Sequence, residues 1–418
     1  MVLEFSIRNF KSFGKKETFT MLADTSKKEH PKNIIRIGEK SNVLPAVVLY
    51  GANASGKSNL MKAFQEFRKI ILHSGNHTPK DFFTAYLPFK FNPELANQAV
   101  EFELYFVVQQ IRYVYSFSIL RNSVVSEKLL FYPQGREAKL FIRNGQQFEF
   151  GDYLKGQKAI VADITTPNQL FLSKGAQNNL EPLTQLFLYF EQDLMPIPFL
   201  DKWIDSRYLD LLAATLTKET EDVFINNFKN LLISFDTGII DFKIEKSKDP
   251  LPFSSDYEVY AQHFLYDTAG EKIGKTWLAI EEESEGTQKL FVLGGLILRA
   301  ILQGRTIIID EFERSLHPFI SQYIIQLFNN PKVNTNKAQL IIATHDANLL
   351  NKETNLRRDQ IWIVEKDKYG YSELIALSDF ADLRPSSPFE KWYLSGKFGG
   401  VPGIESLNFE LNLSNEAA

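Results

Sequence analysis

Apolar and polar positions alternate along parts of this chain, and the period of the alternation predicts strands. Residues Val2–Ile7 alternate with a period of two, and the same period runs from Val100 to about Phe150, as expected of half-buried antiparallel strands. Within that section, Asn144-Gly145 predicts a two-residue hairpin turn. Apolar runs of the kind found in buried parallel strands occur at Ala46–Tyr50, Arg305–Asp310, Leu340–Thr344 and Gln360–Glu365.

Helical periodicity occupies much of the remaining chain. Asn59–Leu72 places its apolar residues on one face, and Thr287–Leu302 is an apolar helix that ends at Gly304. The section from about Asn178 to Phe235 is also predicted helical, with a break at Met195-Pro-Ile-Pro198. Helices that alternate with strands favour an α/β fold with a mostly parallel sheet. An antiparallel β lobe and a helical and mixed middle region accompany it, with strand-like runs at residues 239–244, 258–265 and 276–280.

Composition excludes several classes of protein. The chain has 418 residues, 44% hydrophobic and 23% charged, which is typical of folded globular proteins, and its net charge of −4 argues against an overall basic coat for nucleic acids. The absence of cysteine excludes disulfides, cysteine-based zinc sites and a cysteine nucleophile. The start of the chain predicts no signal peptide, and its longest apolar stretch predicts no membrane span, so we expect a cytoplasmic protein without membrane contact.

A glycine-rich segment after the strand Ala46–Tyr50 has the strongest chemical signal. Residues 51–58 are Gly-Ala-Asn-Ala-Ser-Gly-Lys-Ser and match the pattern G-x-x-x-x-G-K-[ST] between a predicted strand and a predicted helix. In such a loop, backbone N–H groups surround phosphate oxygens, the lysine reaches the β- and γ-phosphates, and the last hydroxyl holds Mg²⁺. The predicted binding residues are Gly51, Asn53, Ala54, Ser55, Gly56, Lys57, Ser58 and Asn59.

Polar residues at three later element ends predict the partners of this loop. Asp310 and Glu311 end an apolar strand, where Asp310 can bind Mg²⁺ through water and Glu311 can polarise an attacking water. Ser284 and Gly286 begin the long apolar helix and predict a second anion site at its N-terminus. His345 follows another apolar strand, where its imidazole could contact a γ-phosphate.

These motifs, in this order, resemble the ABC-type ATPase heads of the SMC, RecF and OLD group. The matching pieces are the loop Gly51–Ser58, the signature Ser284–Gln288, the acids Asp310-Glu311, the D-loop Ser315–Pro318 and the switch residue His345. Ile7–Phe13 resembles the start of RecF-like heads, and Trp392–Pro402 resembles the tail of stand-alone bacterial abortive-infection ATPases. The resemblance implies a P-loop NTPase head formed by residues 1–75 and 281–418, with a β lobe to about residue 150. The insert, residues 151–280, would be a lever or a surface for partner docking.

The resemblance also implies a mechanism and partners. ATP and Mg²⁺ would lie between two heads, each nucleotide held by one chain's loop and the other chain's signature, so that ATP drives homodimer formation. Glu311 and His345 would be the catalytic residues. The expected role is that of an ATPase that gates or senses in anti-phage defence, together with a separate effector such as a nuclease or toxin.

Two alternatives to that role stay open. One is a nucleotide-gated scaffold that hydrolyses little and holds an effector or DNA; Glu285 and Thr287 replace two glycines of the usual signature, and the acids at 281–283 add negative charge. The other is a DNA-repair or maintenance ATPase of the RecF or SMC type. The segment after Gly370 is too short for the Toprim domain of an OLD-type nuclease. DNA phosphates could contact N-terminal lysines, although such lysines more often form a solvated loop face, and they are Lys11, Lys15, Lys16, Lys27 and Lys28.

Overall fold

The computed structural model describes residues 1–38, 41–197, 212–213, 216, 222–247 and 256–402. Within these ranges the strands are β1 (Val2–Arg8), β2 (Glu17–Thr20), β3 (Ile35–Ile37), β4 (Ser41–Val43), β5 (Ala46–Tyr50), β6 (Val100–Val108), β7 (Ile111–Leu120), β8 (Ser123–Tyr132), β9 (Ala138–Asn144), β10 (Gln147–Phe150), β11 (Leu194–Ile197), β12 (Asp241–Lys246), β13 (Tyr257–Tyr266), β14 (Lys272–Ala279), β15 (Thr306–Ile309), β16 (Gln339–Ala343), β17 (Ile361–Lys366) and β18 (Ser372–Ala376). The α-helices are α1 (Lys57–His73), α2 (Lys158–Asp163), α3 (Phe171–Gln177), α4 (Leu183–Gln192), α5 (Asp222–Ser234), α6 (Glu285–Gln303), α7 (Pro318–Asn329) and α8 (Phe389–Leu394).

A six-stranded sheet in the order β11-β15-β16-β5-β17-β18 forms the centre of the molecule, and only its edge strand β18 runs antiparallel to its neighbour. Both faces of this sheet are covered. In β5, Val47 and Leu49 pack into one hydrophobic core while Val48 and Tyr50 pack into the other. Burial on both sides explains why the parallel strands are continuous apolar runs, as predicted.

A seven-stranded antiparallel sheet, β10-β9-β8-β7-β6-β1-β2, forms the predicted β lobe. Helix α1 packs between the two large sheets, where Phe64 stacks on Phe5 of β1 with 4.0 Å between ring centroids and Phe67 stacks on Phe117 of β7 at 5.3 Å. Many of the 35 phenylalanines of the chain therefore pack in this core. Gln339 joins the two sheets, because its side-chain amide accepts a hydrogen bond from Val2 N at 2.7 Å and donates one to Val2 O at 2.9 Å.

A buried ion pair of the β lobe binds the start of helix α3. Glu127 and Arg143 are fully buried and approach to 3.3 Å. The Glu127 carboxylate also accepts hydrogen bonds from the Tyr115 hydroxyl and from the backbone N–H groups of Phe171 and Leu172, at the start of α3. The pair is thus fully hydrogen-bonded, as a charge in an apolar core has to be.

The predicted α/β fold with an antiparallel lobe is confirmed, and two local features differ from the expected ones. The predicted break in the helical section is present, since α4 ends at Gln192, but a strand at this place was not predicted: Leu194–Ile197 form the edge strand β11, which pairs in parallel with β15. Pro196 is tolerated because an edge strand can spare a backbone N–H. The hairpin turn after β9 is Gly145-Gln146, one residue later than expected, because Asn144 still pairs with Gln147.

The division into a head and an insert at 151–280 stays a prediction. The strand β11, which falls within the insert, is hydrogen-bonded into the central sheet. Across the described ranges, no helix has both the length and the apolar character to cross a bilayer.

Candidate functional site

The glycine-rich loop connects β5 to α1 at the carboxyl end of the central sheet. Helix α1 begins at Lys57 with Gly56 as its N-cap, and no side chain in the described part of the chain caps it. The first backbone N–H groups of the helix are therefore left to bind an anion. Gly56 adopts φ +125° and Ala54 adopts φ +64°. These angles fold the loop over the helix end, around a cleft of about 470 Å³.

Contacts from two distant segments hold this loop in place. The Ser372 hydroxyl, on β18, donates to Ser55 O at 2.5 Å, and it lies 2.7 Å from the Ser12 hydroxyl. Ser12 in turn accepts a hydrogen bond from the Asn59 side chain at 2.7 Å. A Cβ at Gly56 would collide with the Ser372 side chain, so the second glycine of the loop is required here by space as well as by φ.

Lys57 is the charged centre of the cleft, and its side chain is 6% exposed. Its ammonium donates to Gly51 O at 2.6 Å and to Ala52 O at 3.2 Å. Burial lowers the pKa of Lys57 to about 8, while the nearby carboxylates of Asp310, Glu313 and Glu311 act in the opposite direction. A buried ammonium that is only partly balanced is well suited to attract phosphate oxygens.

Asp310 follows β15 and hydrogen-bonds the hydroxyl of Ser58. Burial raises the pKa of Asp310, and the hydrogen bonds from Ser58 and from the backbone of Glu311 oppose that rise. Glu311 adopts the left-handed φ of +47°, which turns its side chain to the cleft that it lines together with the loop. Asp310 therefore faces Ser58, whereas Glu311 faces the cleft.

His345 lines the same cleft from the end of β16. Burial lowers the pKa of His345, and Lys57 lowers it further. The backbone N–H of His345 donates to Glu313 Oε1 at 2.6 Å, whereas Glu313 Oε2 is buried and has no hydrogen-bond partner among the described residues. Glu313 therefore links the segment after β15 to the segment after β16.

Ser284 and Gly286 lie at the N-terminus of α6, outside the group of residues that line the cleft of their own chain. The Ser284 side chain caps its own helix by accepting a hydrogen bond from Thr287 N at 3.2 Å. Next to it, the Ser315 hydroxyl of the D-loop donates to Glu285 Oε1 at 3.1 Å, and a Cβ at Gly286 would lie 2.8 Å from Ser315 O. The signature and the D-loop thus form one surface.

Lys289 connects that surface to the acids of the cleft from inside the protein. It is fully buried on α6, and its ammonium donates to Phe312 O at 2.9 Å and to Arg314 O. Burial lowers the pKa of Lys289 to about 7. The ammonium therefore binds the backbone carbonyl groups on both sides of Glu313.

The structure brings the predicted loop, Glu311 and His345 into one cleft, joins Ser58 to Asp310, and leaves the signature apart. Sequence reasoning did not identify Glu313 and Lys289, nor Lys366, which also lines the cleft. The available signals were the Glu-x-Glu spacing after the strand and a single lysine within the apolar run of α6.

The donor set suits a nucleoside triphosphate with Mg²⁺. The uncapped helix end and Lys57 offer positive charge to phosphates, and the Ser58 hydroxyl beside the Asp310 carboxylate offers the hard oxygen ligands that Mg²⁺ prefers.

One protein family and several solved structures match the chain, whereas no curated protein does. The family described as "AAA domain, putative AbiEii toxin, Type IV TA system" matches residues 46–175 and 207–351, about two thirds of the chain. This match confirms the resemblance to abortive-infection ATPases that the motifs predict.

The solved structures are SMC heads of low sequence identity. One is bound to the C-winged helix domain of ScpA (15% identity, TM-score 0.44, 90% of this chain and 97% of that chain covered). Another is the SMC head domain from Thermotoga maritima (14%, 0.40, 90% and 98%). A third, derived from Pyrococcus furiosus, has an extended coiled coil and is bound to the C-terminal domain of ScpA (15%, 0.42, 90% and 97%).

Proposed function

Since the chain belongs to this AAA-domain family of ATP-binding ATPases, we propose that two copies of it bind and hydrolyse ATP in two pockets that they share. One observation carries the proposal. The loop, Glu311 and His345 line one cleft, whereas Ser284 and Gly286 lie outside it on a surface of their own. A head-to-tail pair of chains would place that surface over the cleft of the other copy, and such a pair is symmetric.

Each residue of the cleft then has a defined task. Lys57 and the N-terminus of α1 bind the β- and γ-phosphates, and the lowered pKa of His345 leaves a neutral imidazole near the γ-phosphate at pH 7. Glu311 orients the attacking water and accepts its proton. Glu313 positions the His345 backbone relative to Glu311. It accepts a hydrogen bond from the His345 backbone N–H, and it lies two residues after Glu311 in the chain.

Ser58 and Asp310 would hold Mg²⁺. The ion would supply a positive charge to the phosphates of the bound nucleotide. The hydrogen bond between Ser58 and Asp310 brings their two oxygens together before the nucleotide arrives.

The family description supports a proposal for the biological role. Because that description names a toxin of a toxin–antitoxin system, we propose that ATP-driven closure gates a separate effector in anti-phage defence, and that residues 151–280 form the lever or docking surface for it. ATP can favour the closed pair only through contacts that the open state lacks, and the signature contacts are of that kind.

A nucleotide-gated scaffold with little hydrolysis is the second candidate, because acids surround the signature. Glu285 bonds Ser315, and Glu283 approaches His263 to 2.6 Å, but Glu281 and Glu282 are exposed beside them. This charge would oppose a triphosphate. DNA binding through the N-terminal lysines receives less support, since Lys15, Lys16 and Lys27 already pair with carboxylates.

The test combines Glu311→Gln with a measurement of both turnover and mass. With ATP and Mg²⁺, phosphate release should fall by about 100-fold or more, and the ATP-bound homodimer should accumulate in light scattering. Glu271→Gln, an exposed change in the turn between β13 and β14, should behave as wild type.

Two results would decide against the proposal. If Glu311→Gln releases phosphate at the wild-type rate, Glu311 is not the base. If wild type binds ATP and forms the dimer but releases almost no phosphate, the scaffold is the correct function.

A further inference from the structure

The C-terminal segment Tyr393–Pro402 runs along the start of the phosphate loop. Its glycines, Gly399 and Gly400, both adopt left-handed φ values, +72° and +67°. A Cβ at Gly400 would lie 2.7 Å from Ile363 Cγ2 and 3.3 Å from the Cα of Gly51, the first residue of the loop. The backbone of the segment therefore contacts the backbone of the loop, at a place where no side chain fits.

Tyr393 makes a second contact with the same glycine. Its hydroxyl hydrogen-bonds the backbone of Gly51 and donates to Gly400 O at 3.2 Å. The ring is 5% exposed and lies 5.1 Å from the ring of Tyr50, the residue before the loop. The Tyr393 side chain thus joins its own segment to the phosphate loop.

The segment also reaches the region behind His345. The Tyr50 hydroxyl donates to Asp346 O at 3.0 Å, and α8, whose last two residues begin the segment, packs on the short helical turn at Ala347–Leu350. Phe398 anchors the far end, because it is 2% exposed and packs on Phe380 with 5.3 Å between ring centroids. These contacts fix the segment Tyr393–Pro402, called the tail below, so that it can restrain the phosphate loop.

On the other side, Gly51 is bounded by β17. A Cβ at Gly51 would collide with Val364 O. Gly51 consequently lies in a slot between β17 and the tail, and a displacement of either wall changes the position from which the loop begins.

We propose that the segment Tyr393–Pro402 is a wall of the nucleotide site: Gly400 and Tyr393 are positioning residues that hold Gly51 in place, so that the loop is already shaped for the phosphates of a nucleoside triphosphate. This inference rests on the proposed function of the cleft. A preshaped loop loses less conformational freedom when it binds, and affinity rises accordingly. The tail thus acts on binding, and its effect on the chemical step is small.

The experiment compares Gly400→Ala with Gly135→Ala. Both glycines are left-handed, with φ +67° and +76°, but a Cβ at Gly135 meets no atom of the described residues within 4 Å. The two variants therefore have similar backbone strain and differ in the contacts that the new Cβ makes with Ile363 and Gly51. ATP affinity is measured by calorimetry, kcat and KM by phosphate release, and thermal unfolding without nucleotide reports the fold.

Gly400→Ala should weaken ATP binding by about tenfold relative to Gly135→Ala and raise KM equally, with kcat at saturating ATP close to wild type. Tyr393→Phe, which keeps the ring and removes the hydroxyl, should weaken ATP binding by roughly threefold. If Gly400→Ala does not fold, Tyr393→Phe alone decides. If Gly400→Ala and Tyr393→Phe both bind ATP as tightly as Gly135→Ala, the inference is wrong.

The two proposals fail in different ways. If wild type binds ATP and Lys57→Ala does not, the cleft is the nucleotide site whatever the tail variants do. If wild type itself binds no ATP, both proposals are wrong.

Discussion

The phosphate loop and the signature are both helix N-termini, but the chain treats them differently. Helix α1 has no side-chain cap, whereas the Ser284 hydroxyl already caps α6. Lys57 is buried among carboxylates in a cleft, while Ser284 is exposed. One end is thus prepared within its own chain for an anion, and the other is a solvated surface. This difference is what the proposed shared pocket requires, in which each chain supplies one half of a site.

Mixing two inactive variants tests this comparison with the largest expected effect. Lys57→Ala should weaken ATP binding by roughly 100-fold, because it removes the buried ammonium that pairs with the phosphates. Ser284→Arg should keep ATP binding and lose hydrolysis. In an equal mixture, half of the dimers pair the two variants, and each of these has one intact pocket. Phosphate release should then return to about a quarter of wild type.

A mixture that stays as inactive as its components would contradict the shared pocket. Each variant mixed with wild type serves as the control for subunit exchange. If Ser284→Arg alone keeps full hydrolysis, the signature takes no part in the reaction.

A second prediction concerns Glu313, which belongs to the buried half of the site. Glu313→Ala removes the acceptor for the backbone N–H of His345, and kcat should fall by about tenfold because the segment that carries His345 loses the contact that positions it. Glu313→Gln keeps an oxygen at the same place and should restore most of kcat. Phosphate release at saturating ATP measures both.

The opposite ranking would change the assignment of the base. If Glu313→Gln abolishes hydrolysis while Glu311→Gln does not, Glu313 is the proton acceptor and its buried Oε2 has a chemical function.

The smallest expected effect is a change in the pH dependence of stability, and it concerns the link between the two halves. Burial lowers the pKa of Lys289 from 10.5 to about 7. Between these values the unfolded chain binds more protons than the folded chain, so the free energy of unfolding rises with pH. Lys57, with a pKa lowered to about 8, acts in the same direction. In Lys289→Met, the rise between about pH 7.5 and pH 9.5 should be smaller than in wild type.

Urea unfolding at the two pH values without nucleotide measures this rise. Lys275→Met, a change at an exposed lysine of β14, is the matched control and should keep the full wild-type rise. An unchanged rise in Lys289→Met would mean that Lys289 keeps an ordinary pKa.

Local patterns predicted the parts of the fold that depend on local forces. The run Ala46–Tyr50 is a strand with the predicted bounds, and Gly304 ends α6 with φ +69°. Such elements follow from the period of burial and from backbone sterics, both of which are visible in a short window of sequence. The loop Gly51–Ser58 was recognisable for the same reason, because a phosphate cradle is built from consecutive residues.

The amino-acid sequence by itself determined the apolar strands β5, β15, β16 and β17 of the central sheet and the chemistry of the loop. Only the tertiary structure decided that Leu194–Ile197 is an edge strand, that Glu313 contacts the backbone of His345, and that Gly400 lies against Gly51. The physical reason is that these features depend on space between segments far apart in the chain. A proline accepted at a sheet edge, a carboxylate turned inward and a glycine required by a neighbour's backbone leave no periodic signal in the sequence.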